Sequence, residues 1–328
     1  TAVLNSSETK ILFREINNFK EQGKSIIYIS HYLEEIFEIC STVTVFKDGK
    51  VVTTVPIDTV NKEQLTFLMV GREIDTNYYR KQKGNYKSEV ILEIKELSCK
   101  DKFADISFQL HPGEILGIGG LVGSGKEEVA ETIFGLHRPD TGKIIINGEE
   151  KRVNHTSQAI SSGIAYLPKE RDKEGLILIY SICDNINLPI LKRLKKHGFL
   201  QIKQERSNAG YYFKKLKIKA RDINTASISL SGGNRQKIVI GKWLSCEPKI
   251  LILNNPTRGI DVGVKSEVYA LIQQLSEEGI AVLLISDELP ELIGLSDRIL
   301  IMRNGKVSAC FDANNNDITE ESLISFMV

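Results

Sequence analysis

The sequence predicts an α/β fold built around a phosphate-binding loop, and three observations carry that prediction. A GxxxxGK segment, Gly120 to Lys126, lies between a strand-like apolar run and a helix-like one. Runs of four apolar residues, Ile26 to Ile29 and Ile250 to Leu253, have the length and continuity of strands buried on both faces. Sliding the chain along itself also aligns its start with its end without a gap. Thr1 then falls on Thr257, Leu4 on Ile260, Gly23 on Gly279, Ser30 on Ser286, Leu33 on Leu289, Val43 on Ile299, Gly49 on Gly305 and Lys50 on Lys306.

In chain order, the first copy of the repeat covers 1–75. Leu12, Phe13, Ile16 and Phe19 recur at helical spacing, and Ile26 to Ile29 is expected to be a buried strand. A short helix follows, then Val43 to Phe46 leads through Lys47, Asp48 and Gly49 into Val51 and Val52, the pattern of a hairpin with an Asp-Gly turn. Residues 76–89 are polar, Lys-rich and almost free of aliphatic side chains, which predicts a linker. A complete domain is expected over 90–328. It opens with strands around Val90 to Ile94, Ile106 to Leu110 and Glu114 to Ile118, followed by the glycine-rich loop and a helix marked by Val129, Ile133 and Phe134.

In that context Gly120, Gly123, Ser124, Gly125 and Lys126 are the phosphate-binding candidates. Glycines let successive backbone N–H groups wrap a phosphate at a helix N-terminus. Glu127 departs from the pattern, since a Ser or Thr hydroxyl belongs there to ligate Mg²⁺. A carboxylate beside triphosphate oxygens adds like charge unless a metal bridges them.

Composition bounds the rest. The 328 residues are 41% hydrophobic and 26% charged with a net charge of +1, so there is no basic footprint for nucleic acid. Cys40, Cys99, Cys183, Cys246 and Cys310 are scattered, without CxxC spacing, and are expected to be buried small apolar residues rather than metal ligands or disulfides. No apolar run approaches the roughly 18 residues of a membrane span, and no signal-peptide pattern opens the sequence.

Further motifs follow the loop: Leu230, Ser231, Gly232, Gly233 and Asn234 before a helix; the apolar run ending in Asn254 and Asn255; Pro256 to Asp261; and Ser286, Asp287, Glu288 after another apolar strand. Ser231 is also a good helix N-cap in its own right. In this order the motifs strongly resemble the ATP-binding-cassette family, with its P-loop NTPase fold of a RecA-like parallel core plus antiparallel β and helical subdomains. The wording GEILGIGGLVGSGK, LSGGNRQK, PTRGIDVG and SDRILIMRNGK is similar to the tandem-cassette ATPases of monosaccharide importers, and the resemblance spans the whole chain.

The resemblance implies ATP and Mg²⁺ as cofactors and assigns roles by position. Two cassettes pack head to tail, each ATP lying between the phosphate loop of one and the LSGG of the other. Asn254 then replaces a Mg²⁺-shell aspartate and Asn255 a water-polarising glutamate. Asp287 stands where the first copy has His31, the switch histidine, and Lys169 stands where many cassettes carry a γ-phosphate-sensing glutamine. Asp261 belongs to the Asp-bearing turn. An amide can neither take a proton nor offer charge to a hard cation. This cassette's own site is therefore expected to be degenerate, with no metal ligand set, while Leu230 to Asn234 complete the neighbour's site.

Counterparts of Lys126 and Ser231 in the first copy would precede Thr1, so the first cassette is expected to be truncated here and the fragment to be inactive alone. The implied partners are a membrane permease, an extracytoplasmic sugar-binding protein acting indirectly, and the missing part of the first cassette. The implied location is the cytoplasmic membrane face. The competing expectation is a nucleotide-binding regulatory module without turnover. Leu176 to Ile179 either meet the permease or pack inside, and Phe103 is the candidate for stacking on adenine.

Overall fold

In the computed structural model of the chain, the described residues are 6–30, 33–47, 49–70, 86–312 and 318–328. His31, and residues 76–85 of the expected linker, lie outside them. The chain divides into two units, residues 1–78 with 259–267, and residues 79–258 with 268–328.

The first unit begins with helices α1 (Ser6–Glu21) and α2 (Leu33–Ile39), continues into the hairpin β1 (Thr42–Lys47) and β2 (Lys50–Pro56), and adds helix α3 (Lys62–Val70). Its apolar side chains gather in two small clusters. Phe13 and Ile16 of α1 meet Ile39, and Ile36 meets Val45 and Leu65. Phe19 does not join them, and its ring is 43% exposed beneath the Lys24 ammonium.

The expected strand at Ile26 to Ile29 is absent. Residues 24–30 have no regular structure, and Ile27 and Ile29 are each 92% exposed. A buried strand requires a neighbour on each side. The repeat partner of this run, Val282 to Ile285, has both, whereas no described strand pairs with residues 26–29. Sequence pattern alone cannot hold a parallel strand together.

The second unit opens with β3 (Leu92–Cys99), β4 (Phe103–Leu110) and β5 (Ile115–Gly120), then α4 (Lys126–Ile133), β6 (Thr141–Ile146), β7 (Glu149–Lys151), α5 (Thr156–Ser161) and β8 (Ile164–Leu167). A helical region follows, with α6 (Ile182–Asn187), the short pair β9 (Lys195–Lys196) and β10 (Phe199–Leu200), α7 (Ile202–Lys215) and α8 (Gly232–Leu244). The chain then returns to the core through β11 (Ile250–Asn254), α9 (Val262–Glu277), β12 (Ala281–Ile285), α10 (Leu289–Leu295), β13 (Arg298–Arg303), β14 (Lys306–Asp312) and α11 (Glu320–Met327).

The sheets explain where a site can form. A six-stranded sheet has the order β14, β13, β5, β12, β11, β8, parallel throughout except for β14. Every residue of β8, β11 and β12 is buried, as strands covered on both faces require. Parallel alignment brings the carboxyl ends of β5, β8, β11 and β12 to one edge, where loops from an open α/β sheet build ligand sites. A separate antiparallel sheet has the order β4, β3, β6, β7. This is the parallel core with antiparallel and helical additions that the motifs implied.

The repeat is visible in detail. The β1/β2 hairpin shifts register between Val45 and Phe46, and the β13/β14 hairpin shifts at the aligned Ile301 and Met302. The turn glycines have matching φ values, 76° at Gly49 and 75° at Gly305. The Ser30 hydroxyl donates to Glu35, and Ser286 donates to the aligned Glu291.

The cysteine expectation needs correction. All five are free, but only Cys99 and Cys183 are buried; Cys40 and Cys246 are half-buried and Cys310 is exposed. Cys310 lies on β14, the edge strand, whose alternate side chains face outward. Among the described residues no helix is long and apolar enough to cross a membrane.

Candidate nucleotide site

Strand β5 ends at Gly120, the chain turns through Leu121 to Gly125, and α4 starts at Lys126. Gly125 sits at φ 91°, and a Cβ there would come within 2.8 Å of the Lys102 carbonyl, so only glycine fits this loop as it is folded. The Ser124 hydroxyl is buried and has no hydrogen-bond partner among the described residues. The Lys126 side chain is 2% exposed, with Nζ donating to the Gly120 carbonyl at 2.7 Å. Glycine turn, orphaned hydroxyl, buried ammonium and helix N-terminus together fit an anionic phosphate.

Four charged side chains meet here, three of them at positions where the family pattern calls for uncharged or weakly basic groups. Lys126 Nζ lies 2.9 Å from Asp287 Oδ1, Lys169 Nζ lies 3.1 Å from Asp287 Oδ2, and Lys169 also lies 2.6 Å from Glu127 Oε1. Asp287 therefore bridges both ammonium groups. Burial works against its carboxylate, yet the two lysines outweigh burial and hold its pKa below the usual range. Burial likewise opposes the charge on Lys169, and Glu127 and Asp287 overcome it, so the ammonium is stabilised. The Glu127 carboxylate, expected to add like charge, is paired with the Lys169 ammonium.

Behind this network runs a chain of amides. The Asp287 backbone N–H donates to Asn255 Oδ1 at 2.8 Å, Asn255 Nδ2 donates to Asn254 Oδ1 at 3.1 Å, and Asn254 Nδ2 donates to the Tyr166 hydroxyl at 3.1 Å. Asn254 and Asn255 are 1% and 6% exposed, and Asn255 adopts a left-handed φ of 49° that asparagine tolerates well. Each amide both donates and accepts, which a pair of carboxylates cannot do. Burial pushes the Tyr166 phenol above its ordinary range, leaving it a neutral acceptor.

The LSGG segment is built differently. Ser231 caps α8, its hydroxyl accepting from the Asn234 backbone at 3.5 Å and from Asn234 Nδ2 at 2.9 Å. Asn234 Oδ1 in turn accepts from the Lys219 backbone at 2.7 Å, and Gln236 Nε2 donates to the Pro256 carbonyl at 2.6 Å. The helix start is thereby fixed against the strand end that carries Asn254 and Asn255. Arg235 reaches Asp172 at 2.8 Å, just beyond Lys169.

Of the sequence candidates, the structure brings Lys126, Glu127, Lys169, Asn254, Asn255 and Asp287 into one site. Leu230 to Asn234 form their own helix cap, and the Asp261 carboxylate accepts from the Val264 backbone at the start of α9. His31 lies outside the described residues. Phe103 lines a cavity of about 680 Å³ with Cys99, Asp140 and Gly305, but it is only 4% exposed, because it starts β4 with its ring turned inward. Leu176 is buried whereas Ile177 and Ile179 are 36% and 75% exposed, so the run does not pack inside as a whole.

Sequence reasoning missed the pairings of Glu127 and Asp287 with lysines, and Tyr166 as the anchor of Asn254. A signal was present. Three departures from the motif pattern introduce a charge, two an acid and one a base, and oppositely charged departures in one site suggest mutual pairing.

Residues 103–258 match the ABC transporter family. The ribose import ATP-binding protein RbsA of Clostridium perfringens (strain 13) is 43% identical over 330 residues, covering 100% of this chain and 65% of that protein. The protein of the same name from Lactococcus lactis subsp. cremoris is 43% identical over 324 residues, with 99% and 65% covered. The chain thus spans about 65% of the length of these relatives. Among solved structures, a dimeric bacterial ABC transporter cassette has a TM-score of 0.60 at 21% identity, covering 68% of this chain and 99% of that one. A nucleotide-free cassette from an ABC transporter has a TM-score of 0.60 at 19% identity, covering 73% and 99%. Both likenesses concern the fold. Residues 103–258 thus form a domain of the ABC transporter family, with the fold of an ATP-binding cassette.

Proposed function

We propose that the chain is the larger part of the ATP-hydrolysing subunit of a simple-sugar importer, in which residues 90–328 form the second cassette, 1–75 the end of the first, and 76–89 a linker. The observation that carries this reading is an asymmetry. The Ser231-capped helix start is intact, whereas the strand-end acids of the same cassette are amides tied into a hydrogen-bonded chain. Loss of a general base alone typically costs about 10²–10⁴ in rate. The cassette therefore binds nucleotide at Lys126 without turning it over, and lends Leu230 to Asn234 to the site where His31 stands as switch residue.

The names of the similar proteins point to ribose as the sugar class, reached through a permease and an external binding protein. The subunit lies peripherally on the cytoplasmic face of the membrane. The exposed Ile177, Ile179, Tyr180 and Ile228 suit contact with permease helices. The regulatory alternative, nucleotide binding with no turnover anywhere, draws its support from the neutral network at Lys126.

Steady-state ATP turnover by the full-length tandem protein separates the two. Turnover abolished by changing the first cassette's strand-end acids, and retained in Lys126→Ala, is the expected result. Turnover that depends on Lys126 overturns the site assignment, and no turnover at all favours the regulatory reading. The isolated 328-residue chain is expected to release no phosphate.

A further inference from the structure

We infer that the site around Lys126 takes its nucleotide without Mg²⁺, the Lys169 ammonium supplying the positive charge that a divalent cation supplies in a competent cassette. The inference rests on the nucleotide-site reading above and specifies the ligand's ionic form, the metal-free polyphosphate.

The residues present do not fit the metal. Mg²⁺ demands six oxygens in near-octahedral array at about 2.0–2.1 Å, usually with at least one carboxylate. Three positions face the place where it would sit. Glu127 stands where a hydroxyl is expected, but its carboxylate is held by Lys169 at 2.6 Å. Asn254 stands where a carboxylate is expected, but its amide oxygen accepts from Asn255 and its nitrogen donates to Tyr166. At the third position Lys169 is itself a cation, a donor with no lone pair to give. Asp287 offers the other ionised oxygens, and both already lie against ammonium groups. A divalent ion placed among them would face two lysines at close range.

The same residues fit a bare phosphate chain. Two lysines and two acids cancel in formal charge, and a phosphate that takes the place of Asp287 meets both ammonium groups that Asp287 now bridges. The Asp287 carboxylate rests against Lys126, where an anionic phosphate oxygen would otherwise be held. Entry of nucleotide exchanges one oxyanion for another at Nζ. Lys169 stays anchored by Glu127, and the unpartnered Ser124 hydroxyl gains an acceptor. The amide chain holds the strand ends together whether or not a cation is present, which two adjacent carboxylates in its place would not do.

Calorimetric titration of the 328-residue chain with ATP, once in EDTA and once in excess MgCl₂, tests this. The expected affinities agree within about threefold, and Lys126→Ala abolishes both. The double variant Glu127→Ser with Lys169→Gln removes the ion pair and restores neutral oxygen ligands, and is expected to bind about tenfold or more tightly with Mg²⁺ than without. Wild-type binding that is tenfold tighter with Mg²⁺ and lost in Lys126→Ala overturns the inference while leaving the nucleotide-site reading in place. Absence of binding in both buffers, or binding indifferent to Lys126→Ala, overturns both. The wild-type comparison needs no variant, so poor folding of a mutant cannot mask the answer.

Discussion

Asn255 accepts the backbone N–H of Asp287 at 2.8 Å while its own Nδ2 donates to Asn254. That double role needs an amide. In Asn255→Asp the acceptor survives but the donor is lost, and two oxygens face each other in a position that is 6% exposed. Destabilisation of about 1–3 kcal/mol is expected by urea unfolding. The double change Asn254→Asp with Asn255→Glu is expected to bring no phosphate release, because Glu127, Lys169 and Asp287 remain unsuited to a metal. Measurable hydrolysis in that variant would show that the strand-end amides alone disable the site.

The pH dependence follows from the direction of two shifts. Against burial, Lys126 and Lys169 depress the Asp287 pKa, so its contribution is present above the unfolded value of about 4 and is lost as pH falls through the lower folded value. Against burial, Glu127 and Asp287 raise the Lys169 pKa, so its contribution is present below about 10.4 and is lost as pH rises past the higher folded value. A stability plateau between roughly pH 5 and 9 is expected from this network. In thermal melts Asp287→Asn should show a smaller loss between about pH 4 and 2 than wild type. Superimposable acid limbs would mean that the bridge contributes nothing.

Ser231 caps α8 through a long 3.5 Å bond to the backbone and a shorter one to the Asn234 side chain. Ser231→Ala is expected to cost about 0.5–1 kcal/mol, the low end for a cap, since most of α8 is held by burial. Under the proposed function the same change lowers turnover of the full tandem protein about 10²-fold, the scale for loss of one donor to developing charge. Ser231→Thr should recover stability. A turnover loss no larger than the stability change implies would count against a role at the neighbouring site.

Residues 24–30 and β12 share a sequence pattern but not an environment. Ile29 is 92% exposed, and its repeat partner Ile285 is fully buried. Amide hydrogen exchange in the 328-residue chain should be near the unfolded rate over 24–30 and slower by about 10³ or more over 281–285. Under the proposed function, the first segment should become protected in the full tandem protein. Equal protection in the isolated chain would contradict the exposed conformation.

Much of the site was legible in the sequence because phosphate loops, helix caps and hairpins are local devices. Gly120 to Lys126 needs only its own glycines and the helix that follows, and Ser231 needs only the three residues after it. The pairing of Glu127 with Lys169 was not legible in the same way. The two are 42 residues apart and meet only because β5 and β8 run parallel in one sheet and end at the same edge.

By itself, the sequence determined the order of elements, the repeat, the phosphate loop and the exchange of acids for amides at Asn254 and Asn255. The tertiary structure alone decided two things. It turned four charges into one neutral network with an amide chain behind it, because opposite charges pair only once the sheet brings them within reach. It also left Ile26 to Ile29 without a strand, because a parallel strand is stabilised by its neighbours and not by its own composition.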